Sequence, residues 1–127
     1  MFEVTVEDEF SAAHFLQFPD GSWEKKHGHV FRVAVTMRSK ELDQMGVVVD
    51  FEELKPALKS VLAEFHEKSF NDHQAFKAPF LNSSTENIAK AISDRLAVKL
   101  RPGAASITQV TVWETPDARA TYYPEKV

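Results

Sequence analysis

The sequence predicts an α+β fold in which four antiparallel strands form one sheet and two helices cover one of its faces, in the order ββααββ. Apolar and polar residues alternate near both ends of the chain, whereas apolar residues recur every three or four positions in the middle. The first period is that of strands and the second that of helices. Strands grouped at both ends of a sequence favour an antiparallel sheet. A length of 127 residues indicates a single domain, residues 1–127.

The first two strands are predicted by their alternating side chains. Residues 2–7 alternate between apolar side chains and acidic or hydroxyl side chains, and segment 11–15 continues the same strand. Residues 29–38 form a second alternating run. A turn rich in Pro, Asp and Gly, residues 18–22, lies in the connection between them. We therefore expect the two runs to pair as antiparallel neighbours joined by a long connection.

The first helix is predicted after Asp50, a typical N-cap residue that is followed by Glu53 three positions later. Apolar side chains then recur at helical spacing from Phe51 to Phe65, which indicates an amphipathic helix of about four turns. Pro56 lies inside this segment and cannot donate a backbone hydrogen bond. An irregular first turn or a restart of the helix is expected there.

The second helix and the last two strands complete the predicted order. A polar loop, residues 68–82, leads to Ser83 and Glu86, which have the spacing of a capping box. An apolar stripe at helical spacing follows this cap. Residues 106–114 and 118–123 are rich in β-branched residues and are separated by a short turn, which predicts two further strands.

The composition excludes several classes of function. The chain has no cysteine, so it has no disulfide, no thiolate metal site, no iron–sulfur cluster and no cysteine nucleophile. The net charge is −4 and the longest basic run is Lys25-Lys26, so we expect no nucleic-acid partner. No apolar stretch approaches the roughly twenty residues of a membrane span, and the first residues do not resemble a secretory signal. We expect a soluble, cytoplasmic protein.

Three histidines are the strongest candidates for a metal site. His27 and His29 are two residues apart on a predicted strand and therefore project to the same side. His14 ends the neighbouring strand, so an ordinary antiparallel register could bring it beside them. Three histidines on a zinc ion leave a fourth position open, as in catalytic sites. The alternative is that five histidines in the chain produced this spacing by chance.

Two further positions carry groups that could act on a substrate. Asp72 and His73 lie in the loop between the helices, and a carboxylate beside an imidazole can support acid–base chemistry. Glu114 ends an apolar strand, where it could accept two parallel hydrogen bonds from a planar amidine-like edge such as that of a pterin or guanine. The alternative for both positions is a charged group that faces water.

Six short motifs follow one another along essentially the whole chain: Phe10-Ser11-Ala12-Ala13-His14, His27-Gly28-His29, Gly46-Val47-Val48-Val49-Asp50-Phe51-Glu52-Glu53-Leu54-Lys55, Asp72-His73, Ser84-Thr85-Glu86-Asn87 and Val112-Trp113-Glu114-Thr115. In this order they resemble the motifs of the 6-pyruvoyl-tetrahydropterin synthase family. That family includes the 6-carboxy-tetrahydropterin synthase of deazapurine (queuosine) biosynthesis.

The resemblance implies a tunnelling fold, with four antiparallel strands and two helices on one face. In the family, three subunits join their sheets edge to edge into a barrel, and two such trimers stack into a hexamer. This assembly answers a physical need, because an isolated sheet has two edges that must be covered or paired. We therefore expect a homohexamer that is a dimer of trimers.

The resemblance also implies roles for the candidate metal ligands and the acid–base pair. His14, His27 and His29 would hold zinc. Asp72 and His73 would transfer protons. These roles remain implications of the resemblance, since spacing alone leaves the alternatives given above open.

A pterin pocket is the third implication of the resemblance. Glu114 would bind the 2-amino and N3 edge of a small-molecule pterin substrate. Thr85 and Glu86, at the start of the second helix, would border the same pocket. Apart from further copies of the chain, no partner is implied, neither nucleic acid nor membrane.

The chain departs from the family at one position. Family synthases carry a catalytic cysteine a few residues before the His-Gly-His motif, whereas Trp23 stands there by simple counting, or Glu24 if the loop shifts by one. Tryptophan cannot abstract a proton, but glutamate can. Some family members with glutamate in this region resemble lyases that convert dihydroneopterin triphosphate to 6-hydroxymethyl-dihydropterin, a folate precursor. The alternative for Glu24 is a solvated charge among lysines.

The sequence therefore predicts a zinc-dependent carbon–oxygen or carbon–carbon lyase that acts on the side chain of a reduced pterin, such as dihydroneopterin triphosphate. A pterin- or purine-binding paralogue without catalysis is one alternative, with Trp23 as a stacking residue or a plug in the former position of the base. Activity of the 6-carboxy-tetrahydropterin synthase type is another. An oligomeric scaffold with a relict zinc site is the third.

Overall fold

The computed structural model describes residues 1–77 and 79–124. Within these residues the chain forms, in order, β1 (Phe2–His14), β2 (His27–Ser39), α1 (Phe51–Ala63), β3 (Lys68–Ser69), α2 (Thr85–Lys99), β4 (Ser106–Thr115) and β5 (Ala118–Tyr122). The α+β class and the two helices are confirmed. The four long strands and the two helices follow the predicted order.

The sheet has five strands in the order β3-β1-β2-β4-β5. Its four long strands are antiparallel to their neighbours, as predicted. The prediction of a four-stranded, purely antiparallel sheet was wrong, because β3 pairs in parallel with Ala12 and Ala13 of β1. This strand has only two residues, Lys68 and Ser69, and so has no periodic pattern that a sequence analysis could detect.

Helix α1 begins where the sequence predicts. The Asp50 side chain accepts a hydrogen bond of 2.8 Å from the backbone N–H of Glu52, which satisfies one of the free donors of the first turn. The expected break at Pro56 was wrong, since the helix continues through it. Proline near the start of a helix removes a single intrahelical hydrogen bond, in this case to the carbonyl of Glu52.

Helix α2 begins one residue later than predicted. Ser84, not Ser83, is its N-cap, and the Ser84 hydroxyl accepts a hydrogen bond from the backbone N–H of Asn87. Ser83 is instead fully buried. Two adjacent serines offer the same capping chemistry, so the sequence pattern could not distinguish them. Among the described residues, no helix is long and apolar enough to cross a membrane.

The core lies between one face of the sheet and the two helices. Phe10 and Phe31 are opposite each other on β1 and β2, with ring centroids 5.4 Å apart, and the ring of Phe70 contacts both. Leu58 of α1 and Leu96 of α2 are buried in the same cluster. Burial of this apolar surface holds the helices against the sheet. It thereby sets the approximate position of the start of α2 relative to the end of β1.

Both edges of the sheet have backbone groups that are free to pair with another chain. β3 covers β1 only at Ala12 and Ala13, so residues 2–10 of β1 have no strand partner on that side within the described parts of the chain. β5 forms the opposite edge. Free edges of this length are normally covered or paired in native proteins.

Candidate functional site

Three histidines meet at one end of the sheet. β1 ends at His14 and β2 begins at His27, and the register of the two strands places these residues directly opposite each other. His29 is two residues further along β2, on the same face. One nitrogen atom from each ring lies within 4.8 Å of those from the other two. The structure therefore brings together the three histidines that the sequence singled out.

The nitrogen atoms of this cluster suit a metal ion such as zinc. The Nδ1 atom of His14 lies 2.7 Å from the carbonyl oxygen of Ser83, which can only accept, so Nδ1 donates and Nε2 keeps a free lone pair. The Nε2 atoms of His14 and His29 are buried and form no hydrogen bond within the described residues, and carboxylate oxygens of Glu114 lie 3.2 and 3.8 Å from them. A buried ring nitrogen without a hydrogen bond is unfavourable, and a bound cation would give each of these atoms a partner.

Glu114 points towards the three histidines. Its Oε1 atom accepts a hydrogen bond of 2.9 Å from the Thr85 hydroxyl and lies 3.2 Å from His14 Nε2. Its Oε2 atom lies 3.8 Å from His29 Nε2. The pairing of β4 with β5 shifts between Trp113 and Thr115, so Glu114 stands at a bulge, a feature that often redirects a side chain. The structure thus places this carboxylate at the histidine cluster instead of in bulk water.

Glu24 is also held beside the histidines. Its backbone N–H donates to the carbonyl of Leu16 over 2.8 Å, and its Oε1 atom accepts a hydrogen bond of 3.1 Å from the N–H of Leu16. The same oxygen lies 3.9 Å from His27 Nδ1. The side chain is 33% exposed, which leaves it reachable by a small molecule. These contacts differ from those of a charge that is simply solvated among lysines.

Trp23 belongs to an aromatic cluster beside this site. Its ring lies 5.3 Å from the ring of Phe15 and 5.7 Å from that of Phe80, with edge-to-face geometry in both cases. The backbone of Trp23 pairs with that of Gln17 in a single antiparallel bridge. The tryptophan is 47% exposed and directly precedes Glu24 in the chain.

His73 has a different carboxylate partner from the one that the sequence predicted. Its Nε2 atom lies 3.1 Å from Glu64 Oε1, and its Nδ1 atom accepts a hydrogen bond of 3.0 Å from the N–H of Ala75. Arg95 donates to the same oxygen of Glu64 over 2.9 Å. Glu64, not Asp72, therefore orients this ring. Residues adjacent in a sequence commonly point apart, and Glu64 had no motif to identify it.

Asp72 lies on the wall of a cavity of about 580 Å³ that is also lined by Gly28, His29 and Lys68. The His73 ring bonds to Glu64 and to the N–H of Ala75, so Asp72 and His73 do not form a hydrogen-bonded pair with each other. Thr85 reaches the site through its bond to Glu114, whereas Glu86 is exposed in the first turn of α2.

Several residues that support the site make contacts that no sequence signal indicated. They are polar loop residues whose partners lie far away along the chain: Asn71, Asn82 and Ser83. Ser83 directly precedes Ser84, the N-cap of α2. A residue in that position can face the protein interior, but this tendency does not predict which residue it contacts.

The pKa of His29 is lowered from its ordinary value of 6.5. Burial is the largest cause, because it disfavours the charged imidazolium. The carboxylate of Glu114 acts in the opposite direction and raises the pKa, while the neighbouring rings of His27 and His14 lower it further. The neutral ring that results is the form that binds metal ions.

Comparison with known proteins identifies similar sequences. A sequence model described as 6-pyruvoyl tetrahydropterin synthase matches residues 3–125. A 6-carboxy-5,6,7,8-tetrahydropterin synthase from Bacillus subtilis (strain 168) is 34% identical over 98% of this chain and 87% of the relative. A dihydroneopterin monophosphate aldolase from Pyrococcus furiosus is 33% identical over 83% of this chain and 82% of the relative.

Solved structures with the same fold include 6-pyruvoyl tetrahydropterin synthase from Caenorhabditis elegans. It is 28% identical and superposes with a TM-score of 0.80 over 98% of both chains. The Plasmodium vivax 6-pyruvoyltetrahydropterin synthase is 23% identical, with a TM-score of 0.75 over 98% of both chains, in a variant that replaces a catalytic glutamate by alanine.

In the metal-free protein, we predict that His29 titrates below 6.5 and that Glu114→Gln lowers its pKa further, because the amide no longer favours the imidazolium. NMR titration of the histidine ring signals measures both values. The pKa of His29 is lower in the folded protein than in the unfolded chain. As the pH falls through 6.5, the unfolded chain therefore binds more protons than the folded protein does. His29 therefore lowers the free energy of unfolding in acid.

Glu3→Gln provides the control for this titration. Glu3 pairs with Arg38 at the other end of the β1–β2 ladder, so this change should leave the pKa of His29 as it is. An unchanged or higher pKa of His29 in the Glu114→Gln variant would contradict the electrostatic description of the site.

Proposed function

Because the chain belongs to the 6-pyruvoyl tetrahydropterin synthase family, we propose that it is a zinc-dependent lyase acting on the side chain of a reduced pterin, such as dihydroneopterin triphosphate. The named relatives process pterins in more than one way, as a carboxytetrahydropterin synthase and as an aldolase. The observation that carries the choice of a side-chain lyase is the position of the Glu24 carboxylate, 3.9 Å from His27 Nδ1, in a chain without cysteine. We place the enzyme in the cytoplasm.

The histidine cluster would hold the zinc ion through the free nitrogen atoms of His14, His27 and His29. When bound, zinc supplies Lewis-acid chemistry, which lowers the pKa of a hydroxyl group that it contacts. The buried Nε2 atoms of His14 and His29, which form no hydrogen bond within the described residues, support this assignment.

Glu114 would bind the pterin ring. A carboxylate can accept two parallel hydrogen bonds from the 2-amino group and N3 of a pterin, which fixes both position and orientation. The Thr85 hydroxyl already donates to one of its oxygens and limits the rotation of the carboxylate. Holding the ring in this way makes later proton transfers effectively intramolecular.

Glu24 would remove a proton from the substrate side chain. The N–H of Leu16 holds its carboxylate in place, and its partial exposure allows contact with a ligand. A positioned carboxylate is a suitable general base for this step. In the Plasmodium vivax protein a glutamate is a catalytic residue on the same fold. In this chain, the contacts of Glu24 itself carry the assignment.

Asp72 and His73 would serve the second proton transfer. The hydrogen bond to Glu64 fixes the orientation of the His73 ring, as carboxylates commonly do for catalytic histidines. Asp72 lines the cavity that also reaches Gly28 and His29, so its carboxylate would face a ligand bound there. Glu86, exposed at the start of α2, would border the pocket entrance.

A second candidate function is activity of the 6-carboxy-tetrahydropterin synthase type, as part of deazapurine biosynthesis. The Bacillus subtilis relative, which is similar over 98% of this chain, favours it. The absence of cysteine argues against it, because the family synthases use a cysteine for proton transfer. Binding of a pterin or purine without turnover would leave the positioned Glu24 without a role.

The assembly is proposed to be a homohexamer built from two trimers. The free edge of β1, residues 2–10, would pair with β5 of the next copy, which would satisfy the backbone groups on both edges. Three copies arranged in this way close a ring of strands, and two rings would stack.

We predict that Glu24→Gln lowers the rate of side-chain cleavage of dihydroneopterin triphosphate by about 10²- to 10⁴-fold, because the amide cannot accept a proton. The amide oxygen can still accept the hydrogen bond from Leu16, so the fold should be retained. Chromatography of the pterin products measures the rate. Trp23→Phe, a change in the adjacent residue that preserves an aromatic ring, is the matched control and should keep most of the activity.

Two results would refute the role of Glu24. One is a Glu24→Gln variant that is as active as the wild type. The other is a zinc-loaded wild type that leaves the substrate unchanged while Glu24→Cys converts it. Tight pterin binding without turnover by the wild type would instead support the binding-only alternative.

We predict that each chain binds one zinc ion and that dialysis against a chelator abolishes activity, which added zinc restores. His27→Ala should lose the metal, because only two ring nitrogens would remain. Elemental analysis after dialysis measures the zinc content. His66→Ala is the control, since the His66 Nδ1 atom accepts a bond from Ser11 and the ring is not part of the cluster. Equal zinc contents in the two variants would rule out the assigned ligands.

Light scattering on the purified protein tests the assembly. A particle of six chains, each of 14.4 kDa, is the expected result. A monomer at micromolar concentration would show that the free edges of β1 and β5 are protected in some other way.

A further inference from the structure

We propose that Asn71 and Asn82 are positioning residues of the site, because their side-chain amides clamp segment 15–17 and thereby hold both His14 and Glu24 in place. The proposal rests on the proposed function, in which His14 binds zinc and Glu24 accepts a proton. Neither asparagine would touch the substrate.

Asn71 acts on the residue that follows His14. Its Oδ1 atom accepts the backbone N–H of Phe15 over 3.1 Å, and its Nδ2 atom donates to the carbonyl of Phe15 over 2.9 Å. One amide thus satisfies both backbone groups of one residue, as a neighbouring strand would do. Segment 15–17 lies just beyond the end of β1. Within the described residues, β3 pairs with β1 only at Ala12 and Ala13, so no strand covers this side of the segment.

Asn82 repeats the same arrangement two residues further on. Its Oδ1 atom accepts the N–H of Gln17 over 2.8 Å, and its Nδ2 atom donates to the carbonyl of Gln17 over 3.0 Å. The backbone carbonyl of Asn82 in turn accepts a hydrogen bond from the side chain of Asn87 in α2. This bond anchors the clamp to the first turn of the helix.

Ser83 connects the two asparagines to the zinc ligand. Its hydroxyl donates to Asn71 Oδ1 over 3.0 Å, and it directly follows Asn82. Its carbonyl oxygen accepts the Nδ1–H of His14 over 2.7 Å. Metal-binding histidines generally donate their second N–H to such an acceptor, which fixes the ring orientation. The asparagines therefore control the placement of the acceptor that orients His14.

The opposite side of segment 15–17 carries Glu24. The N–H and the carbonyl of Leu16 both bond to Glu24, and Gln17 pairs with Trp23. A three-residue segment thus lies between the asparagine clamp on one side and the base on the other. Any shift of this segment moves the carboxylate of Glu24 and the ring of His14 together.

The test uses Asn71→Ala and Asn82→Ala, together with Asn82→Asp, which can still accept from Gln17 but cannot donate to it. The matched control is Asp50→Ala, which removes the N-cap of α1. Asp50 lines a cavity together with Ser39. Ser39 is the last residue of β2 and His27 is the first, so Asp50 lies at the far end of this strand from the site, and its replacement destabilises the fold without touching the site.

The first measurement is zinc affinity by competition with a chromophoric chelator. We expect the asparagine variants to bind zinc about 10- to 100-fold more weakly, the effect seen when groups that orient metal ligands are removed. Asp50→Ala should bind zinc as the wild type does, although its melting temperature falls. If the asparagine variants lose thermal stability but keep wild-type zinc affinity, the clamp is structural only and the proposal is wrong.

The second measurement needs neither zinc nor activity. Long-range ¹H–¹⁵N NMR of the metal-free protein, about two pH units above the ordinary imidazole pKa of about 6.5, reports which nitrogen of His14 carries the proton. We expect Nδ1–H in the wild type and in Asp50→Ala, and a mixture of tautomers in the asparagine variants. An unchanged tautomer would overturn the proposal.

The two measurements also separate this proposal from the proposed function. If the wild type binds no zinc, the proposed function fails, yet the tautomer of His14 still decides whether the asparagines position the ring. If zinc binds and the tautomer does not respond to the loss of Asn71 and Asn82, the function stands and the clamp does not.

Discussion

The hydrogen bond from the buried ring of His14 to the carbonyl of Ser83 is the interaction on which the site depends. The side chain is 2% exposed, so its N–H has almost no access to water and must find a protein acceptor. The bond joins the last residue of β1 to the residue before the cap of α2. Apolar packing sets the position of the helix relative to the sheet only approximately. The hydrogen bond has a required distance and angle, so it defines this position more narrowly.

Four consecutive residues at the start of α2 each make a different contact that the site requires. Asn82 holds the backbone of segment 15–17, and Ser83 orients His14. Ser84 caps the helix, and the Thr85 hydroxyl binds the carboxylate of Glu114. Because these residues are adjacent, a displacement of the helix start would alter the ring of His14 and the carboxylate of Glu114 together. The rigidity of the site therefore depends on how firmly residues 82–85 are held in place.

The sequence predicted the features that have a period or a motif. Side-chain alternation along β1 and β2 identified the strands, and their pairing explains why His14, His27 and His29 meet. Contacts between a loop side chain and a distant backbone have no period, so the 56-residue separation between Phe15 and Asn71 was invisible. The partner of His73 was missed for the same reason, because Glu64 precedes it by nine residues with no motif that connects the two.

The division between strand and loop also explains how one fold can host more than one reaction on pterins. The three histidines meet because of the register of β1 and β2, and a shift of one residue in that pairing would turn the side chains of a whole strand to the other face. Glu24 comes from the loop between β1 and β2, where the backbone of Leu16 holds it and where substitutions are tolerated more readily. Under the proposed function, exchange of a cysteine for a carboxylate in this loop would change the group that moves the proton. It would leave the histidine cluster, Glu114 and the packing behind them intact, so under the proposed function the reaction would change while the proposed binding of metal and ring is retained.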